Sequence, residues 1–405
     1  MASKAAPPKD AHANAVGRAS PARVALVAAP TFGYGRELMM GVRSYILERG
    51  GWLVHTCQPE VQFFKAVAGW NPDGIIAYLS SERLAKAVLA LRKPVVNVSG
   101  ALDLPGVARV GTDDVAVGRT AAQHGLERGF RHFGYISHGS RRVRWEQERF
   151  EGFRTALKEA GQACHSFGAG HRPIPNLFLM RWSELQGRVR DWIRRLPKPV
   201  LILACNDDLA CLVSEICRHA HIAVPEEAAL VGVDNDEYLC KMAYPPLSSV
   251  RTQGERIGVE AASLLDRLMG GASVPPAPVL LPPLGVVTRQ SSDGTALEDA
   301  ELAEAVRFIR EHADRPIGVR NILQNVPVAR RWLERKFRAH LGRTIYHEIC
   351  RAHLERAKVL LSDTDLPMPS VASRSGFRNA ARLCLVFRRL TGLTPTEYRR
   401  QFHWP

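Results

Sequence analysis

Asp and Asn residues stand directly behind apolar runs at three places in this chain. Thr112-Asp113 follows Val110. Asn206-Asp207 follows Pro199–Ala204, and Asp234-Asn235 follows Ala229–Val233. Carboxylates and amides accept and donate several hydrogen bonds each, which is the chemistry that grips a polyhydroxylated ligand. Arg149 adds a fork of donors, and Phe32 adds an aromatic face for the C–H side of a sugar. The candidate effector-binding set is therefore Phe32, Asp113, Arg149, Asn206, Asp207 and Asp234. Each Asp or Asn, taken alone, serves equally well as a cap for the helix that follows its strand.

No catalytic arrangement accompanies this set. A G-x-S-x-G elbow is missing, Gly33-Tyr34-Gly35 lacks the third Gly of a dinucleotide loop, and no G-x-x-x-x-G-K-[ST] occurs. None of the eight Cys forms a C-x-x-C pair, so neither a metal nor a cofactor is expected. The thiols read as buried groups in a reducing compartment.

A second chemistry gathers at the C-terminal end. From Arg315 onward there are 18 Lys and Arg against six Asp and Glu, within a chain whose net charge is +15. Such a basic end attached to a nearly neutral body predicts polyanion binding. Residues 369–375 read as a short helix, Gly376 as a left-handed turn and Asn379 as the cap of a longer basic helix. A similar unit precedes it, Val319–Asn325 followed by Ala329–Leu341. A short helix, a turn and a basic second helix make a helix-turn-helix, whose second helix enters the major groove. The DNA-contacting candidates are Arg330, Arg331, Trp332, Arg335 and Lys336 in the first unit, and Arg378, Asn379 and Arg382 in the second.

The elements that must position these residues alternate in the first three-quarters of the chain. Apolar strands at Arg23–Ala29, Trp52–Cys57, Gly74–Tyr78, Pro94–Val98, His132–Ser137, Pro199–Ala204 and Ala229–Val233 are separated by amphipathic helices. That alternation predicts α/β architecture with doubly wound parallel sheets. Past about Ala296 the strands vanish and helices dominate, so an all-α domain with two helix-turn-helix units follows. The expected division is a flexible tail at 1–22, an effector domain at 23–290, a linker at 291–299 and a DNA-binding domain at 300–405. The N-terminus has no apolar core of a signal peptide, and no apolar run of about 18 residues is present. A cytoplasmic location without membrane attachment is expected.

These motifs carry resemblances. L-x-R-x-F-(x)4-G at Leu333–Gly342 and G-F-(x)9-F-(x)4-G-x-T-P-x-x-Y-R at Gly376–Arg399 resemble the AraC-type DNA-binding domain. That family binds DNA with both units. Two positions depart from it: Ala329 where Ser is usual at the N-cap, and Leu383 where an aromatic is common. V-x-T-D at Val110–Asp113, E-R-F-x-G-F at Glu148–Phe153, C-N-D-D-L-A at Cys205–Ala210 and V-P-E-E-A-A-L-V-G-V-D-N at Val224–Asn235 resemble LacI/GalR regulators and type I periplasmic binding proteins. The resemblance implies two lobes, and effector contacts at Arg149, at Asn206 or Asp207, and at Asp234. The usual N-terminal DNA-binding headpiece of LacI/GalR proteins has no counterpart in residues 1–22.

The sensor-first, AraC-last order is similar to that of bacterial xylose-operon regulators. R-x-x-x-x-G-V at Arg36–Val42, R-W-x-x-E-R at Arg144–Arg149, L-S-S-V at Leu247–Val250 and L-P-P-L-G-V-V-T-R-Q-S at Leu281–Ser291 carry this likeness. It implies a non-enzymatic transcription regulator controlled by a small sugar, D-xylose or a related pentose, and acting as an activator. Lobe closure would change how a homodimer presents its DNA-binding domains, with RNA polymerase as a further partner. The competing readings are an α/β-fold enzyme and a DNA-binding protein that ignores sugars.

Overall fold

The computed structural model describes residues 21–139, 143–168, 182–293 and 300–402. Most of the expected tail and residues 294–299 of the expected linker lie outside them. The chain divides into two compact units, Met1–Asp114 with Arg141–Glu148 and Thr252–Pro283, and Val115–Ser140 with Arg149–Arg251 and Leu284–Pro405.

The first unit is built on a six-stranded parallel sheet. Across it run Trp52–Cys57, Ala22–Val27, Gly74–Ala77, Val95–Asn97, Ala108–Thr112 and Val279–Leu281. Successive strand residues point to opposite faces, and the packing follows that alternation. Val24, Leu26 and Ile76 join Leu38 and Val42 of helix Gly33–Arg49 and Ile257 and Leu264 of helix Gly254–Met269. Ala25, Val27 and Ile75 join Phe64, Leu84 and Val88 on the other face. Helix Gly33–Arg49 begins earlier than the apolar periodicity indicates, because Phe32 adopts extended backbone at its N-cap.

The second unit repeats the plan. Cys164–Phe167, His132–Ile136, Val200–Ala204, Ala228–Val233 and Ser248–Arg251 run parallel, and Gly285–Val287 closes the edge antiparallel. Both sheets are doubly wound, as the sequence alternation predicts. Cys164–Phe167 is an edge strand with no fully buried residue, so it carries no apolar run to announce it. Helices Asp114–Glu127 and Arg144–Glu159 approach closely through two glycines. A Cβ on Gly118 would sit 2.0 Å from the Arg149 carbonyl oxygen, and one on Gly152 would sit 2.0 Å from that of Val115.

Among the described residues, seven α-helices follow the second sheet. Val319–Asn325 and Arg330–Leu341 form the first helix-turn-helix over a core of Leu302, Ile322, Leu333 and Phe337. Met368–Arg374 and Ala380–Thr391 form the second over Leu361, Val371, Leu383 and Phe387. Helix Ile345–Asp363 supplies buried residues to both cores. Gly376 has φ +74°, and a Cβ there would meet the His353 ring at 2.5 Å and the Arg315 carbonyl at 2.8 Å. The turn of the second unit therefore demands glycine both for conformation and for space.

Candidate functional site

In sheets of this kind ligands bind beyond the carboxyl ends of the strands. In the second unit those ends bring together four of the six sequence-predicted effector residues. Arg149, on helix Arg144–Glu159, is buried. Its Nη1 donates to the carbonyl of Cys205 at 2.5 Å, and its Nη2 lies 3.4 Å from Asp234 Oδ1. Asp234 is one-fifth exposed at its side chain, so its carboxylate meets the guanidinium on one side and remains open on the other.

Asp234 and Asn235 both lie in the left-handed region, with φ +101° and +55°. Such backbone is costly for residues other than Gly and persists only where its surroundings enforce it. Here Asp207 enforces it. Its Oδ2 accepts the Asp236 N–H at 2.7 Å, and its Oδ1 accepts the Ser249 hydroxyl at 2.6 Å. Ser249 Oγ in turn accepts the Asn235 N–H at 2.9 Å. Gly232 leaves the room, since a Cβ there would stand 2.1 Å from Asp207 Oδ1.

Both oxygens of Asp207 are thus engaged within the protein, and the residue is 2% exposed. The geometry gives it the work of shaping the Asp234 loop. Asn206 caps helix Asp207–His219, its Oδ1 accepting the Leu209 N–H at 3.1 Å, while its Nδ2 points to Asp208. Burial raises the Asp207 carboxyl well above the usual carboxylate range, and the neighbouring Asp234 charge adds to that. Burial also raises Asp234, and the Arg149 guanidinium opposes the shift.

Phe32 and Asp113 belong to the first unit, beyond the carboxyl ends of strands Ala22–Val27 and Ala108–Thr112. Phe32 is half exposed. Asp113 is partly buried, and its backbone N–H donates to Leu281.

On the first basic helix Arg330, Arg331 and Arg335 are exposed, and Arg330 pairs with Glu334 at 2.9 Å. Trp332 packs against the core beneath, with Lys336 Nζ 5.3 Å above its ring. Arg331, Glu334, Arg335 and Arg338 line a groove of about 540 Å³. In the second unit Arg378, just before the N-cap, and Arg382, in the first turn of helix Ala380–Thr391, are exposed. Asn379 is the N-cap, accepting the Arg382 N–H at 2.8 Å. The Arg382 guanidinium hydrogen-bonds the Tyr346 hydroxyl and covers its ring.

One further constellation escaped sequence reasoning. Arg351 bridges Glu348, on its own helix, to Glu127, at the end of helix Asp114–Glu127. Arg343 pairs with Glu348 at 2.5 Å and also donates to the Glu127 carbonyl. Glu348 is fully buried. No local spacing signals the pairing, because its members lie 224 positions apart.

Comparison with known proteins agrees with this architecture. A periplasmic binding protein-like domain model matches residues 122–292, and a helix-turn-helix domain model matches residues 323–401. The xylose operon regulatory protein of Escherichia coli K12 is 30% identical over 383 residues, covering 93% of this chain and 96% of the relative. The protein of the same name from Haemophilus influenzae is 27% identical over 377 residues, covering 90% and 95%. A solved structure described as a xylose-binding transcription activator superposes with TM-score 0.60 at 30% identity, covering 95% of this chain and all of that one. A cellobiose complex of a transcriptional regulator superposes with TM-score 0.54 at 23% identity, covering 67% and 86%, which speaks to the sensor fold alone.

Proposed function

The chain belongs to the family of xylose operon regulatory proteins, and from that premise we propose that D-xylose or a related pentose is its effector and activation its output. The general role, a sugar-responsive DNA-binding transcription regulator, comes with the family. The observation that carries the effector reading is the Arg149–Asp234 pair at the carboxyl edge of the second sheet. A carboxylate accepts two hydroxyls, and a guanidinium donates to several oxygens, so the pair suits a small polyol. Asp207 and Asn206 hold the two loops that carry this chemistry. Phe32 and Asp113 are the effector-contact candidates of the first unit, an aromatic face and a further acceptor beyond the ends of its own strands.

The effector domain is taken as residues 23–290, the linker as 291–299 and the DNA-binding domain as 300–405. Arg331 and Arg382, in the first turns of the two recognition helices, read bases, while Arg330, Trp332, Arg335, Lys336, Arg378 and Asn379 serve the backbone or neighbouring bases. The protein works in the cytoplasm, needs no metal or cofactor, and contacts RNA polymerase when it activates. The proposed assembly is a homodimer, to which Tyr238, Met242 and Tyr244, 73%, 84% and 71% exposed, offer apolar side chains.

Thermal unfolding and calorimetric titration with D-xylose, L-arabinose, D-ribose, D-glucose and D-galactose test the effector reading. A ligand at a hundred times its Kd stabilises the fold by about 2.7 kcal/mol. A shift with a pentose supports the reading, and no shift with any pentose overturns it.

A further inference from the structure

The chain leaves the second sheet at Gly285–Val287 and reaches the DNA-binding helices through the stretch after it. Residues Thr288–Asp293 are tied on two sides. On the sheet side, Ser291 Oγ donates to the Leu230 carbonyl at 2.7 Å, and the Arg289 backbone N–H meets Ser248 Oγ at 2.8 Å. On the other side, Thr288 Oγ1 accepts from Arg128 at 2.8 Å, and Ser292 Oγ shares a 2.8 Å hydrogen bond with His124. The Asp293 carbonyl accepts from Arg310, on the first helix of the DNA-binding part, at 3.1 Å.

Arg289 joins this stretch to the effector loop. Its Nη2 donates to Asn235 Oδ1 at 2.9 Å, and its Nη1 donates to the Leu247 carbonyl at 2.8 Å. Asn235 is the neighbour of Asp234 and shares its left-handed backbone. The Asn235–Arg289 and Asp293–Arg310 hydrogen bonds thus stand at the two ends of one short stretch of chain, residues 289–293, and Asn235 is covalently next to Asp234.

We propose that Arg289 is the positioning residue through which the occupied Asp234 loop is sensed by the DNA-binding domain. The inference rests on the effector reading above. A ligand that engages Asp234 favours one arrangement of the 234–236 loop, and the rigid guanidinium fork passes that preference to residues 288–293. A lysine keeps the charge but cannot span both acceptors with fixed geometry. Coupling between two sites is reciprocal, so it is read as the ratio of DNA affinities with and without sugar. Loss of fold alone lowers both affinities and leaves their ratio in place.

The test uses the full chain as wild type, Arg289→Met, Arg289→Lys and Asn235→Ala. Fluorescence anisotropy follows a DNA fragment selected by the wild-type protein from a random pool, with and without D-xylose. Calorimetry gives the D-xylose affinity of each variant. Arg289→Met and Asn235→Ala are expected to bring the sugar-dependent ratio to within about twofold of one. Sugar affinity and sugar-free DNA affinity should stay within about threefold of wild type, and Arg289→Lys should fall between. A wild-type ratio in Asn235→Ala or Arg289→Met overturns the proposal. So does a parallel fall of both affinities in Asn235→Ala, which would make the contact merely structural. A wild-type protein indifferent to D-xylose, L-arabinose and D-ribose alike instead overturns the effector reading, and this inference with it.

Discussion

Gly118 lies against the backbone of Arg149 so closely that a Cβ on it would stand 2.0 Å from the Arg149 carbonyl oxygen. The residue that holds the Asp234 carboxylate is therefore set by the crossing of two helices at a pair of glycines. Backbone cannot swing aside as a flexible side chain can, so a methyl group at this crossing must separate the helices.

Gly118→Ala is accordingly expected to weaken sugar binding by displacing Arg149, although Gly118 itself carries no polar side chain. Overpacking of this kind costs about 1–3 kcal/mol of stability. The measurement is calorimetric titration beside thermal unfolding. Unchanged sugar affinity in a destabilised but folded variant would separate the crossing from the site.

Asp207 and Asp234 should respond differently to removal of charge. Asp234→Asn keeps the size of a partly buried side chain proposed to contact the effector, and a charge-assisted hydrogen bond of this kind is worth about 1.5–3 kcal/mol, or roughly ten- to a hundredfold in affinity. Asp207→Asn replaces a carboxyl that holds the loop through Asp236 and Ser249. Its amide still accepts one bond, so the expected loss falls first on thermal stability and only then on sugar affinity. Equal loss of affinity in both variants, with unchanged melting of Asp207→Asn, would return Asp207 to the direct contacts.

That contrast marks what the sequence holds and what it hides. Both aspartates follow apolar strands, and nothing local distinguishes them. Gly232 and Ser249 make the difference, from neighbouring strands of the folded sheet. The alternating strands and helices were legible because each buried strand needs an apolar run. The second helix-turn-helix was legible because its turn needs Gly376 and its helix needs the Asn379 cap. Helix Val61–Ala68 and strand Cys164–Phe167 were not read, the first being only two turns long and the second lying at an edge. Arg289 and Glu127 were hidden for the same reason as Ser249: their partners are distant in the chain.

Acid should loosen the junction around Glu348. Burial pushes that carboxyl up, but the Arg351 and Arg343 guanidinia outweigh it and hold it at about 2. The folded-state value lies below the unfolded value of about 4.3, so this stabilisation is complete above that pH. It is lost as pH falls from there through about 2, and its size is about 3 kcal/mol. Urea unfolding of the full chain between pH 6 and pH 2.5 should show that dependence, with Glu348→Gln less stable at neutral pH and flatter toward acid. The same acid slope in both proteins would assign the loss to other carboxylates.

DNA binding should separate Arg331 from Lys336. Both lie on helix Arg330–Leu341, but Arg331 is exposed at its start, in the groove with Arg335, whereas Lys336 is drawn over the Trp332 ring. An arginine near the start of a recognition helix makes bidentate contacts to guanine worth about 1–3 kcal/mol of discrimination. A lysine on phosphate contributes charge without sequence information, and its removal reduces the slope of log affinity against log salt by about 0.9. Arg331→Ala should therefore narrow the gap between selected and random DNA, while Lys336→Ala should weaken both alike and flatten the salt dependence. Arg382 adds an internal comparison, since its guanidinium already engages the Tyr346 hydroxyl. Tyr346→Phe frees it without removing it. If Arg382 reads DNA, that variant should bind selected DNA at least as well as wild type, whereas Arg382→Ala should bind it less well. Equal affinities in Arg382→Ala and wild type would make the Arg382–Tyr346 contact a clasp within the domain and leave base reading to the first unit.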